Sequence, residues 1–184
     1  RFRALHPGAE IQATMAPSKL LEQKLMDNLL DLALMEGVPH VPALQSEEYM
    51  EDHLVVITPT DGPFRPGQHL SQTEFRQQKF LLRERGSGTR EEFERVTEQA
   101  GFTVSPTWEA TSTTALVNAV ISVLGIAVLP YRMVSAPLER GLVSAVTVEG
   151  LEFHRKFRIV YHRDKFLTAQ ARDFIALCRN FEET

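Results

Sequence analysis

Two short stretches place hydroxyls where a strand gives way to a helix, and either could hold an anion. The first is GSGTR, residues 86–90, between the apolar strand KFLLRE and a helix. Backbone N–H groups at a helix start lack intrahelical partners and favour negative charge. The loop could therefore bind an anion or a polar ligand, with Ser87 and Thr89 as donors. A tight turn followed by an N-cap accounts for the same residues. No Lys follows the second Gly, so this is not a Walker loop, and the spacing does not fit a dinucleotide fingerprint. The second stretch is Thr111, Ser112, Thr113 and Thr114, heading the segment EATSTTALVNAVISVLGIAVLP. One hydroxyl must cap that helix, and four exceed what capping requires, which leaves a ligand role open for one of them. Asn118 follows Thr111 by two helical turns on the same face. It is either turned toward a ligand or a satisfied core amide.

Other chemistries find little support. None of the six histidines has metal-ligand spacing, and they read as surface or loop residues. The cluster EEYMED, residues 47–52, could supply a general acid and base or a hard-metal site, but reads as a solvated charge run before an edge-like strand. Cys178, the single cysteine, falls on the apolar stripe of the last helix and reads as a packed core thiol. No G-x-S-x-G elbow is present. The expectation is no catalytic residue, no metal and no cofactor.

The elements that must position the two hydroxyl stretches follow from periodicity and punctuation. AEIQATM, residues 9–15, reads as a strand, a helix starts near Pro17 and Ser18, and LDLALM, residues 30–35, reads as a parallel strand buried on both faces. HLVVITP is a further strand, ahead of a turn-rich loop. Ser71 with Glu74 has capping-box spacing for a short helix. A second β-α-β unit is KFLLRE, then a helix with Thr89 and Glu92 as its capping box and Gly101 as its stop, then FTVSPTWEA. After the segment 109–130 come a short helix ending near Gly141, the strands GLVSAVTV and KFRIVYHR, and a last helix capped by Thr168. Its docking stripe is Ala171, Phe174, Leu177, Cys178 and Phe181.

Composition bounds the reading. The chain has 184 residues, 43% hydrophobic and 24% charged, as expected of a globular protein. Its net charge of −4 (20 basic, 24 acidic) argues against this chain itself gripping nucleic acid. A single cysteine excludes an intrachain disulfide and fits a reducing compartment. No apolar run approaches a membrane span. The chain opens at Arg1, and RFRALHPG reads like the middle of an element, so a fragment is expected.

In their order along the chain, these pieces resemble the effector-binding domain of LysR-type transcriptional regulators. FRALHPGAEIQA is similar to that family's helix end and second strand, and LLEQKLMDNLLDLALMEG to its "l...L..g.lDlal" pattern, with Asp31 at the Asp. HLVVITPTDGP, KFLLRERGSGTREEFERVTEQAGF, VISVLGIAVLP and RKFRIVYHRDKFLTAQARDFI resemble later parts in sequence. Val123 stands where the family pattern has Gly. The family's first strand with its Ser/Thr-rich loop, and its winged helix-turn-helix, have no counterpart in this chain.

The resemblance implies an α/β fold like the type II periplasmic binding proteins, with two subdomains joined by two crossovers. The first would comprise residues 1–77 and 159–184, N-terminally truncated, and the second residues 78–158. A small anionic effector would lie in the cleft between subdomains. Family contacts carried over by position fall at Ser18, Met35, Ser87, Thr89, Thr111 and Asn118. The function implied is ligand sensing by a cytoplasmic bacterial transcription factor. It would act as a homodimer or tetramer and reach DNA only through the winged helix domain, with no membrane contact. A transporter's solute-binding protein and a small-molecule enzyme on the same two-lobed fold are the alternatives.

Overall fold

In a computed structural model, which describes residues 1–181, the chain divides into two units, Arg1–Glu51 with Lys156–Thr184, and Asp52–Arg155. The helices are α1 (Phe2–Leu5), α2 (Ser18–Met26), α3 (Gln72–Arg76), α4 (Gly88–Gln99), α5 (Thr113–Ile121), α6 (Tyr131–Glu139) and α7 (Ala169–Arg179). The strands are β1 (Ala33–Glu36), β2 (Leu44–Pro59), β3 (His69–Leu70), β4 (Leu81–Arg83), β5 (Trp108–Ala110), β6 (Ala127–Pro130), β7 (Val143–Val148) and β8 (His154–His162). The chain crosses between units once within β2 and once within β8. The first crossing therefore lies well before the expected residue 77. From Leu54 to Pro59 β2 pairs with β6 and β7, which places this part of it in the second unit.

In the second unit β2 lies between β6 and β7, antiparallel to both, with Val56 opposite Val128 on one side and Val146 on the other. β3 runs parallel to β7, and β4 parallel to β5. A parallel bridge from Phe80 to Ile126 joins the two groups of strands. Successive strand residues point to opposite faces, and both faces are apolar. Leu54, Val56, Phe80, Leu82 and Val128 meet Phe75 and Phe93 in one cluster, while Ile57, Leu81, Ala127 and Leu129 meet Leu116, Val120 and Val134 in another. The expected second β-α-β unit is therefore present, although its closing strand is only Trp108–Ala110.

In the first unit β1 pairs antiparallel with β8, Ala33 opposite Val160. LDLALM is thus not a parallel strand buried on both faces. It contributes a short strand with alternating burial, Ala33 and Met35 inward and Leu34 outward, because only one face has apolar cover. α2 covers that face through Leu21 and Leu25. α7 packs through Ile175 and Cys178 against Ile159, and Phe2 of α1 meets Phe174 edge-on at 5.5 Å. Phe181, expected on the docking stripe, is exposed. Residues 9–15 form no strand. A strand needs a neighbour to complete its ladder, and Ile11 and Met15 lie exposed with no buried face to fix a register.

Helix ends follow local chemistry closely. Ser71 and Glu74 form the expected capping box, and Thr168 caps α7 by accepting from the Ala171 N–H. α4 ends at Gly101 in the left-handed region, with the Gly101 and Phe102 N–H groups returning to the Glu98 and Thr97 carbonyls. α5 closes with the same two bonds, but on Val123 at φ 61°. Gly125, just beyond, allows a close approach: a Cβ there would lie 2.3 Å from the Lys79 carbonyl oxygen.

Candidate functional site

The two hydroxyl stretches leave the same edge of the second unit's sheet. β4 and β5 run parallel and in register, so their last residues, Arg83 and Ala110, lie side by side. The loop into α4 follows one and the loop into α5 follows the other. This is the edge, at the carboxyl ends of parallel strands, where open α/β sheets hold ligands. Side-chain contacts tie the loops together. The Arg83 guanidinium donates to Thr113 Oγ1 at 3.2 Å, and Arg90 lies 3.9 Å from the Glu109 carboxylate. Arg83 also grips Glu84 at 2.8 and 3.0 Å. Burial is the strongest single effect and pushes the Glu84 carboxyl up, but the Arg83 hydrogen bond, a bond from Glu84's own backbone N–H and the Arg83 charge together hold the group below the usual range.

α4 begins at Gly88, and its N-cap lies two residues before the expected cap, Thr89. Ser87 is the N-cap, buried, and its side chain makes no cap bond. Thr89 is 1% exposed, and its Oγ1 accepts from Arg155 Nη1 at 3.0 Å. The expected capping box of Thr89 with Glu92 is therefore absent, and Glu92 instead pairs with Arg95 at 2.7 Å. A buried guanidinium requires acceptors, and that requirement outranks a cap that Ser87 already replaces by position. On α5 the cap is Ser112, which accepts from the Ala115 N–H at 3.2 Å. Thr111 is consequently an exposed hydroxyl with no capping duty, and Asn118 is exposed, which excludes the core-amide reading.

The positions in the first unit behave differently from one another. Ser18 is the first residue of α2, follows the N-cap Pro17 and is buried. The Met35 side chain is 2% exposed and packs among Leu21, Leu25, Ala33, Leu44 and Val160, so it serves the core.

The sequence reading missed the ionic centre of the second unit. Asp52 belongs not to a solvated run but to β2, and its carboxylate is buried against Arg155, with Nε and Nη2 each 2.7 Å from Oδ2. Arg132 approaches the other oxygen at 3.6 Å. The rest of EEYMED is also partly engaged, Glu47 with Arg179 and Glu48 with Lys156 and Arg158. The one available signal was charge density on a strand-forming stretch, which implies partners.

Each unit also carries a groove away from these residues. One of about 720 Å³ is lined by His69, Gln72, Arg95, Val148 and Leu151, and one of about 1030 Å³ by residues that include Phe2, Ile11, Met15, Leu34 and Phe174. Among the described residues no group of three or more His, Cys, Asp or Glu could hold a metal ion, and no helix is long and apolar enough to cross a membrane.

Comparison with known proteins places this geometry. A family model described as the LysR substrate binding domain matches residues 1–182. A RuBisCO operon transcriptional regulator of Allochromatium vinosum is 32% identical over 94% of the chain, and the HTH-type transcriptional regulator YeiE of Escherichia coli is 29% identical over 97%. The chain spans 57% and 60% of the lengths of these two relatives. Among solved structures, the regulatory domain of CcmR from Synechocystis, in complex with 2-PG, superposes with a TM-score of 0.87 at 21% identity, covering 97% of this chain and 86% of that one. The effector binding domain of QuiR in complex with shikimate gives 0.80 at 14% identity, covering 97% and 85%. These likenesses establish the periplasmic-binding-protein-like α/β fold.

Proposed function

Because the chain belongs to the LysR substrate binding domain family, we propose that it is the effector-sensing part of a bacterial transcription regulator, and that its effector is a small anion. The observation supporting this reading is the edge where β4 and β5 end. Two helix starts, the buried Ser87 whose side chain makes no cap bond, the exposed Thr111 and the guanidinium groups of Arg83 and Arg90 gather there. Helix starts and guanidinium groups both favour negative charge. Ser87, Thr111 and Asn118 are the contacts proposed on this unit, and Thr89 acts behind them. In the first unit Ser18 offers the same chemistry at the start of α2, and Met35 contributes through its backbone.

Ligand binding changes the regulator by favouring one of its conformations over another. DNA is reached through a separate winged helix-turn-helix domain of the longer regulator, which acts in the cytoplasm as a homodimer or tetramer. The chain is a sensor rather than an enzyme, in keeping with relatives that are transcription regulators.

A thermal-shift titration with 2-PG, shikimate, inorganic phosphate and small carboxylates tests the reading. A ligand specific to the folded state at a hundred times its Kd stabilises by about 2.7 kcal/mol. At least one anion is expected to raise the unfolding midpoint by several degrees, and Ser87→Ala and Thr111→Val are expected to weaken that shift. No rise in the midpoint with any of these anions refutes the anionic effector, and a rise equally large in both variants refutes the proposed contacts.

A further inference from the structure

Asp52 and Arg155 are the first and last residues of the second unit, so the chain enters that unit on one and leaves it on the other. Their side chains meet in one buried ion pair, at 1% and 2% exposure. The backbone beside them also bonds, Leu54 N–H to the Phe153 carbonyl at 2.8 Å. Arg155 has a third attachment, to Thr89 in the first turn of α4. One guanidinium thus ties both crossings to the helix start that carries Ser87. A buried pair of this kind is not needed for stability, since apolar residues of similar volume generally do as well, whereas removing one partner is damaging. Directional bonds offer something apolar packing does not: a fixed position for Thr89 relative to the two strands.

We propose that Arg155 is a positioning residue that couples the α4 start to the two crossings, so that occupancy at Ser87 alters the backbone at Asp52 and at Arg155. The inference rests on the effector reading of that helix start. The coupling itself does not require a ligand to be present. A change in the first turn of α4 moves Thr89, Thr89 moves the guanidinium, and the guanidinium carries Asp52 with it. Arg132, partly exposed, lies 3.6 Å from the same carboxylate.

Hydrogen exchange of the whole chain, read on peptides covering residues 50–56 and 153–158, provides the test. Without ligand, Thr89→Val is expected to speed exchange at both crossings about tenfold. Thr89→Ser, which keeps the hydroxyl, restores the wild-type rate. Ser112→Ala, which removes the cap of α5, serves as a control for general destabilisation and leaves the crossings unchanged. Faster exchange confined to the first turn of α4 in Thr89→Val, or equal acceleration in the control, overturns the coupling. With 2-PG as probe, slower exchange at α4 accompanied by slower exchange at both crossings supports it, and slowing at α4 alone overturns it. A probe that changes neither region counts against the effector reading, and the ligand-free comparison then decides the coupling by itself.

Discussion

Val123 is the point at which this chain bears a backbone conformation its residue does not favour. It occupies the position just past the C-cap of α5 at φ 61°, where two return bonds, Val123 N–H to Val120 and Leu124 N–H to Ala119, demand the left-handed region. The other helices that close with this pair of bonds use residues suited to it: Gly101 after α4, Gly141 after α6 and Asn28 after α2. A residue with a Cβ is disfavoured there by about 1–2 kcal/mol. Glycine carries more unfolded-state freedom, which offsets about 0.4–1 kcal/mol of any gain. The side chain is 56% exposed, so its lost contacts confuse a direct comparison with the wild type. Comparing Val123→Gly with Val123→Ala removes that term, because both variants discard the valine side chain. The glycine variant should be the more stable by about 0.8 kcal/mol, the balance of the two effects at mid-range. At Ser122, φ −79°, the order should reverse, with alanine the more stable by about 0.5–1 kcal/mol. Urea unfolding followed by fluorescence of Trp108, the single tryptophan, reports on the unit that contains α5. If Val123→Ala equals or exceeds Val123→Gly, the left-handed strain argument is wrong.

Further outcomes follow from single contacts. Ser112→Ala should destabilise by about 1 kcal/mol in the same urea assay, as loss of an N-cap does, while Thr111→Val should change stability little. Gly125→Ala should destabilise by about 1–3 kcal/mol or more, because the Cβ meets a backbone carbonyl that cannot rotate away. The Glu74 carboxyl is held below its ordinary value, first by the Ser71 hydroxyl and then by the Ser71 N–H. The unfolded state therefore binds that proton more tightly. The contribution is present above the unfolded pKa and is lost as pH falls through the lower folded value. Glu74→Gln should flatten the acid limb of the stability profile, measured by urea midpoints from neutral pH into the acid range. Burial raises the Cys178 thiol above its usual value, so alkylation should be slow until urea exposes it.

The features legible in the sequence were those whose physics is local. Capping at Ser71 and Thr168, the stop at Gly101, and the alternation of β4, α4 and β5 each rest on residues a few positions apart. The hydroxyl stretches were legible as helix starts for the same reason. Burial and pairing were not. Nothing within LDLALM says that its partner is β8, antiparallel and more than a hundred residues away, or that one face will lie open. AEIQATM has the composition of a strand, yet composition does not supply a neighbour to complete its ladder.

Thr89 shows how one non-local contact rearranges a local reading. By spacing it is an N-cap with Glu92, and by family position a ligand contact. Arg155, 66 residues along the chain, donates to its hydroxyl, and the capping box with Glu92 does not form. The same guanidinium takes Asp52 out of what reads as a solvated charge run, 103 residues before it. A charge that ends up buried draws its partners from wherever the fold brings them, and each partner then departs from its local pattern. The two misread residues thus belong to one error, and Arg155 is its source. That makes Arg155 the side chain whose replacement should disturb the largest number of otherwise separate features. Asp52→Asn with Arg155→Met should be milder than Arg155→Met alone, since the single change leaves a buried carboxylate with only the more distant Arg132, and breaking one side of such a pair typically costs about 3–5 kcal/mol. A double variant less stable than the single one would mean that Asp52 does not depend on Arg155 for its burial.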